Sequence, residues 1–219
     1  MKNTFFLFII IILFSNCKKD KVNIFNEVYD VEFVGLWSAA SHPEDYPSGA
    51  HFSPIVAYSH KASLNAIGFG LSATEGVQSM AETGNTDALV KEIEDFRALN
   101  IALDKAVGTT INATESTTVQ VGVESGKHTV TVFSMIAPSP DWFVAASTSL
   151  LDPDDGLWYD YVEVSAQVFD AGTDSAKTFS AANMPNDPKE AVKLITNGPL
   201  TNGSDSIVTM AKFIFRRVK

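Results

Sequence analysis

The chain has 219 residues, 45% of them apolar and 19% charged, a composition that suits a packed core and excludes a disordered segment. Its formal net charge of -10 argues against nucleic acid, whose binding depends on Lys and Arg neutralising phosphates, and against electrostatic adsorption to anionic lipid. Acidity alone means solubility first, and it is compatible with cation binding.

Residues 1–16 read as an export signal, with Lys2 as the positive start and an unbroken apolar run from Phe5 to Phe14. That run is too short to cross a hydrocarbon core of roughly 30 Å, which needs about 20 apolar residues. Cys17, the only cysteine, follows directly in Leu13-Phe14-Ser15-Asn16-Cys17-Lys18-Lys19-Asp20. The stretch resembles a bacterial lipoprotein processing site, although Asn16 departs from the usual small residue before the cysteine. The resemblance implies lipidation at Cys17, a solvated tether over residues 17–25 and a domain over residues 26–219, anchored in the bacterial envelope and facing the periplasm or the outside. The alternative is a spare cysteine in a discarded leader. With Cys17 used as an anchor, no partner remains for a disulfide, and the core must hold the fold.

The segment Glu27 to Trp37 alternates in part and is rich in Val, Tyr and Phe, which predicts the opening strand. Ile55 to Tyr58, Thr117 to Val123, His128 to Ile136, Phe143 to Ser147, Tyr159 to Val168 and Ile207 to Arg216 repeat that pattern between Gly, Pro, Asn and Asp punctuation. Thr86 to Val107 differs in period. Leu89, Ile93, Phe96 and Leu103 fall near one face, which predicts an amphipathic helix capped by Asn85 or Thr86 and stopped by Gly108. A shorter helix is expected from Glu75 to Glu82, ended by Gly84. The sum is a mainly β chain, an antiparallel β-sandwich with one main amphipathic helix inserted in its first half.

Chemistry concentrates in two loop segments, Pro138-Ser139-Pro140-Asp141-Trp142 and Asp170-Ala171-Gly172-Thr173-Asp174-Ser175. Gly172 can take the positive φ that turns Asp170 and Asp174 inward, and Asp141 opens the next strand, so two loops at one end of adjacent strands could share a hard cation. Calcium takes six to eight oxygens and suits carboxylates in loops. The competing expectation is that each Asp makes an Asx-turn or caps its own loop through backbone amides. Asp152-Pro153-Asp154-Asp155-Gly156 is expected to be a solvated hairpin turn. His42, His51 and His60 recur at intervals of nine, but without the close spacing of helix-borne zinc motifs they read as structural. No Gly-x-Ser-x-Gly elbow or Gly-rich phosphate loop is present, and Gly68-Phe69-Gly70 reads as a tight turn. The reading is therefore non-enzymatic.

Tyr29 through Ser38, His42-Pro43-Glu44-Asp45-Tyr46-Pro47, Ala50-His51-Phe52-Ser53-Pro54-Ile55, Ser59-His60, Glu75-Gly76-Val77, Ala81-Glu82-Thr83-Gly84 and the two Asp-bearing segments occur in this order. Together they resemble the spondin N-terminal domain family, from about Asn26 to the C-terminus. The resemblance implies a β-sandwich, with Asp141, Asp170 and Asp174 as calcium ligands. It also implies a non-catalytic adhesion or recognition role toward an extracellular or cell-surface protein or glycan. Membrane contact would come through the lipid anchor alone. Ala176 stands where animal members usually have Gly, and the cysteines of those members are missing here. Two other readings stay open, a metal-assisted envelope hydrolase using the histidine segment or the Asp cluster, and a purely structural lipoprotein.

Overall fold

The structure is a computed structural model, and it describes residues 26–196, 198–200 and 208–219. The apolar N-terminal run, Cys17 and the tether lie outside the described residues, as does Ile207, the expected start of the last strand. No helix among the described residues is long and apolar enough to cross a membrane.

The elements in chain order are β1 (Glu27–Gly35), β2 (His51–Phe52), β3 (Val56–His60), α1 (Glu75–Thr83), α2 (Asp87–Ala98), β4 (Ala102–Val107), β5 (Ile111–Asn112), β6 (Ser116–Val123), β7 (Thr129–Ala137), β8 (Trp142–Ser149), β9 (Tyr161–Ser165), β10 (Gln167–Asp170), β11 (Lys193–Leu194) and β12 (Ala211–Arg217). They form two antiparallel sheets. One has the order β6-β1-β12-β9. The other runs β11-β10-β8-β7-β2-β5, with β3 also pairing β7 and carrying β4.

Alternation in β1 sends Tyr29, Val31 and Phe33 into the space between the sheets and leaves Asp30 and Glu32 half-exposed outside. Phe33 is the aromatic hub of that space. Its ring meets Phe52 edge-on at 4.9 Å and stacks on Phe213 at 5.2 Å. Each such side chain, taken fully out of water, contributes about 1.5–3 kcal/mol. The second sheet is covered on both faces, by the first sheet on one side and by α1 and α2 on the other. All nine residues of β7 are therefore buried, and its sequence TVTVFSMIA lacks a solvent-facing polar register. Phe133, Phe143 and Phe169 form the helix-side core with Val77, Met80, Leu89 and Ile93.

The short helix ends where expected. Thr74 Oγ1 accepts from Val77 N at 3.1 Å at the start, and Gly84 takes φ 71° at the end. The main helix does not run to Val107. It stops at Ala98, Asn100 adopts φ 57°, and Ala102–Val107 leaves as β4 to pair with β3. Leu103 fits a helical stripe by spacing alone, but the ladder with β3 decides the outcome. Asn is one of the few residues that tolerates the left-handed turn that separates the two elements. The expected single strand from Tyr159 to Val168 is likewise two. The chain leaves the first sheet after Ser165 and enters the second at Gln167, with Ala166 N donating to Ala211 O at 2.9 Å in the step between.

Among the described residues the edge strand β9 pairs only with β12, and it shows an outer face of charge. Glu163 accepts from Lys212 Nζ at 3.1 Å, and Arg216 reaches Glu32 at 2.6 Å while lying over the Tyr161 ring.

α1 and α2 approach closely at Gly76. A Cβ built there would stand 2.6 Å from Leu89 Cα, and Gly76 N donates to Glu92 Oε1 at 2.7 Å. Gly76→Ala should push the helices apart and cost about 1–3 kcal/mol in urea unfolding. A variant as stable as the wild type would show that this contact is slack.

Candidate functional site

β7 and β8 are joined by the Pro138–Asp141 turn, and β10 ends beside the start of β8, with Asp170 in register opposite Trp142. That pairing brings the two Asp-bearing segments to one end of the second sheet. Ala171 N donates to Asp141 O at 3.1 Å and closes the approach through the backbone.

Asp141 is fully buried. Its Oδ2 accepts from Thr173 N at 2.7 Å, Asp174 N at 3.1 Å and Thr173 Oγ1 at 3.2 Å. Its Oδ1 is buried and receives no hydrogen bond. Burial, and after it the charge of Asp170, pushes the Asp141 carboxyl up to about 6 in spite of the three donors on Oδ2. Burial raises Asp170 as well, although Gly172 N donates to its Oδ1 at 2.7 Å and Lys193 Nζ lies 3.7 Å from its Oδ2. The result is two carboxyls short of compensating positive charge, one of them with an oxygen that has no donor.

Asp174 is held differently. Its Oδ1 accepts from Ala176 N at 2.7 Å and its Oδ2 from Met184 N at 3.0 Å, so it shapes its own loop. Ala176 in place of Gly leaves that turn closed. Among the described residues no three His, Cys, Asp or Glu side chains gather as a ready cation shell. The geometry thus contains the loop-capping bonds of the turn reading for Asp170 and Asp174, together with a deficit at Asp141 that the turn reading does not explain. Glycine is required between them: Gly172 has φ 73°, and a Cβ there would lie 2.5 Å from Glu190 O.

Two cavities reach this end of the sheet. One of about 260 Å³ is lined by Glu82, Ser139, Pro140, Asp174 and Asn183, and another of about 270 Å³ by Trp142, Asp170, Lys177 and Ile195. The partners that sequence spacing did not single out are Thr173, Glu190 and Lys193. The last two reach the site because the segment after the loop folds back, with Glu190 N donating to Gly172 O at 2.8 Å and β11 pairing with β10. Nothing local in the sequence marks that return.

The histidines are separately engaged. His42 is buried, with Nδ1 2.9 Å from Ser41 Oγ, and burial lowers its pKa. His51 Nδ1 faces Gly49 O at 2.8 Å. His60 is fully buried, and its Nδ1 lies 2.9 Å from Lys61 O, which can only accept, so this nitrogen carries the proton. Burial lowers its pKa, and its Nε2 lies 2.7 Å from Thr131 Oγ1, whose proton goes to Ser147 Oγ at 2.8 Å. The acidic segment at Asp152 is a turn in which Asp152 Oδ1 accepts from Asp154 N at 2.9 Å and Asp155 Oδ1 from Leu157 N at 2.8 Å.

Sequence comparison relates the chain to known proteins. Human Spondin-1 is 31% identical over 175 residues, covering 77% of this chain and 22% of its own length. Human Spondin-2 is 30% identical over 187 residues, covering 81% of this chain and 55% of its own, and Spondin-1 of Xenopus laevis is 28% identical over 201 residues. The chain thus spans about a quarter of Spondin-1 and about half of Spondin-2. The Spondin_N family profile matches residues 27–207, and the chain belongs to the spondin N-terminal domain family.

Proposed function

We propose that the domain is a calcium-binding, non-catalytic recognition module on an exported, lipid-anchored protein, with Asp141, Asp170 and Asp174 as the side-chain ligands. The observation that carries this reading is the buried Asp141 Oδ1, which has no donor and stands in the field of a second carboxylate. A hard divalent cation supplies the charge that such a pair lacks. Asp174 would contribute through lone pairs that its two amide bonds leave free, and backbone carbonyls and water would complete the shell.

Filling the site would tie the β7–β8 turn to the loop after β10 and stiffen the loops at that end of the sandwich. Rigid loops on a β scaffold suit recognition, because less ordering entropy is lost on contact. Family membership supports a partner outside the cell, a surface protein or glycan. A metal-assisted hydrolase would need a general base beside an open metal position. His42, His51 and His60 are each tied to separate partners, so they give that alternative no support.

At free calcium one hundred times its Kd, thermal unfolding should shift upward by roughly 5–10 °C, the equivalent of about 2.7 kcal/mol. Asp141→Asn keeps the Oδ2 acceptor geometry and should abolish that shift. A wild-type melting curve indifferent to calcium and chelator would sink the reading.

In chelator, pH adds a second test. Asp141 and Asp170 are raised above their ordinary range, so between about pH 4 and 6 the folded chain binds more protons than the unfolded one. The contribution of Asp141 to stability is therefore present at low pH and lost as pH rises through about 6, and that of Asp170 falls in the same direction. Wild type minus Asp141→Asn should show that slope in chelator and lose or reverse it in calcium. The same slope in both would contradict ion binding at Asp141.

For the anchor, Cys17→Ser should move the protein from the membrane fraction to the soluble one. A mutant that stays with the membrane would refute lipidation as the means of attachment.

A further inference from the structure

Lys193 stands directly across from Asp170 in the β10–β11 register, and its ammonium is shared between two carboxylates. It lies 3.7 Å from Asp170 Oδ2 and 2.6 Å from Glu190 Oε2, with its side chain 52% exposed. Lys177 lines the cavity beside Asp170 but makes no ion pair with it among the described residues. The backbone around Lys193 is fixed by its pairing with Asp170 and by the Glu190 N to Gly172 O hydrogen bond, so only the flexible side chain has freedom to move.

We propose that Lys193 is a tethered cation that competes with the divalent ion for Asp170, and that filling the site transfers the ammonium wholly to Glu190. The inference rests on the calcium reading above and adds the device that sets its threshold. Charge accounting favours the exchange. Without the ion, Asp141, Asp170, Asp174 and Glu190 hold four negative charges against one ammonium, and the longer contact, to Asp170, is the weaker hold. With the ion, the divalent charge cuts the three Asp ligands to one net negative charge and repels the ammonium, and the Lys193–Glu190 pair is neutral by itself. The ammonium does not satisfy Asp141 Oδ1, which has no partner in its presence. Lys193 is thus a partial substitute that lets the ion-free loop close, and the ion displaces it.

Isothermal titration of the full chain with calcium chloride tests this. Lys193→Met should tighten calcium binding by about two- to fivefold, the range expected for a half-exposed ion pair, while Lys193→Arg should bind close to wild type. Lys177→Met serves as the charge control and should change affinity less than Lys193→Met. Calcium binding by the wild type together with unchanged or weaker binding by Lys193→Met would overturn the competition and leave the calcium site standing. So would equal tightening by Lys177→Met, which would reduce the effect to overall charge. A wild type and a Lys193→Met variant that both fail to bind would overturn the calcium reading and this inference together.

Discussion

A carboxylate removed from water must be met by donors or by positive charge, and Asp141 is the carboxylate on which the β7–β8 end of this sandwich depends. Three donors from Thr173 and Asp174 converge on one of its oxygens and pull the loop after β10 onto the turn before β8. The rest of that end is built around this capture. Gly172 turns with a positive φ under Glu190 O, Asp170 is held in register beside Trp142, and β11 returns to bring Lys193 alongside. The other oxygen of Asp141 is the remainder of the arrangement, a buried acceptor beside like charge.

That remainder separates Asp141 from an ordinary turn residue. Asp152 and Asp155 also stand in a loop beside Pro and Gly, yet each caps a backbone amide in an exposed turn, where water screens the charge. Asp170 and Asp174 make similar capping bonds. The difference at Asp141 is burial without full satisfaction, which raises its proton affinity and would raise its affinity for any cation that fits.

The sequence made the β elements legible wherever a strand has one wet face, as in Glu27–Gly35, whose alternation survives into the structure. β7 was legible by its β-branched run, although both of its faces are covered. The errors have one cause, the action of distant residues. Leu103 keeps a helical spacing but lies in β4, whose ladder with β3 decides its state, and the run from Tyr159 to Val168 divides where Ala166 bonds to Ala211, without a local breaker. β2, β5 and β11 are two-residue ladders whose existence depends entirely on a partner strand. At the site, the three Asp positions could be picked out from their turn residues and from the family resemblance. Lys193 and Glu190 could not, because they lie about twenty residues beyond the loop and arrive only through the return of β11.

The charged outer face of β9 has a consequence for association between copies of the chain. An edge strand offers unpaired amides and carbonyls to any neighbour, and like chains at high concentration would meet at such edges often. Glu163 and Lys212, with Arg216 over Tyr161, put salt-bridged, hydrated side chains along that margin. A second copy docking strand to strand would have to strip or break those pairs. The margin is thus insulated against fibre-like stacking, so that molecules can stand at high density as separate units.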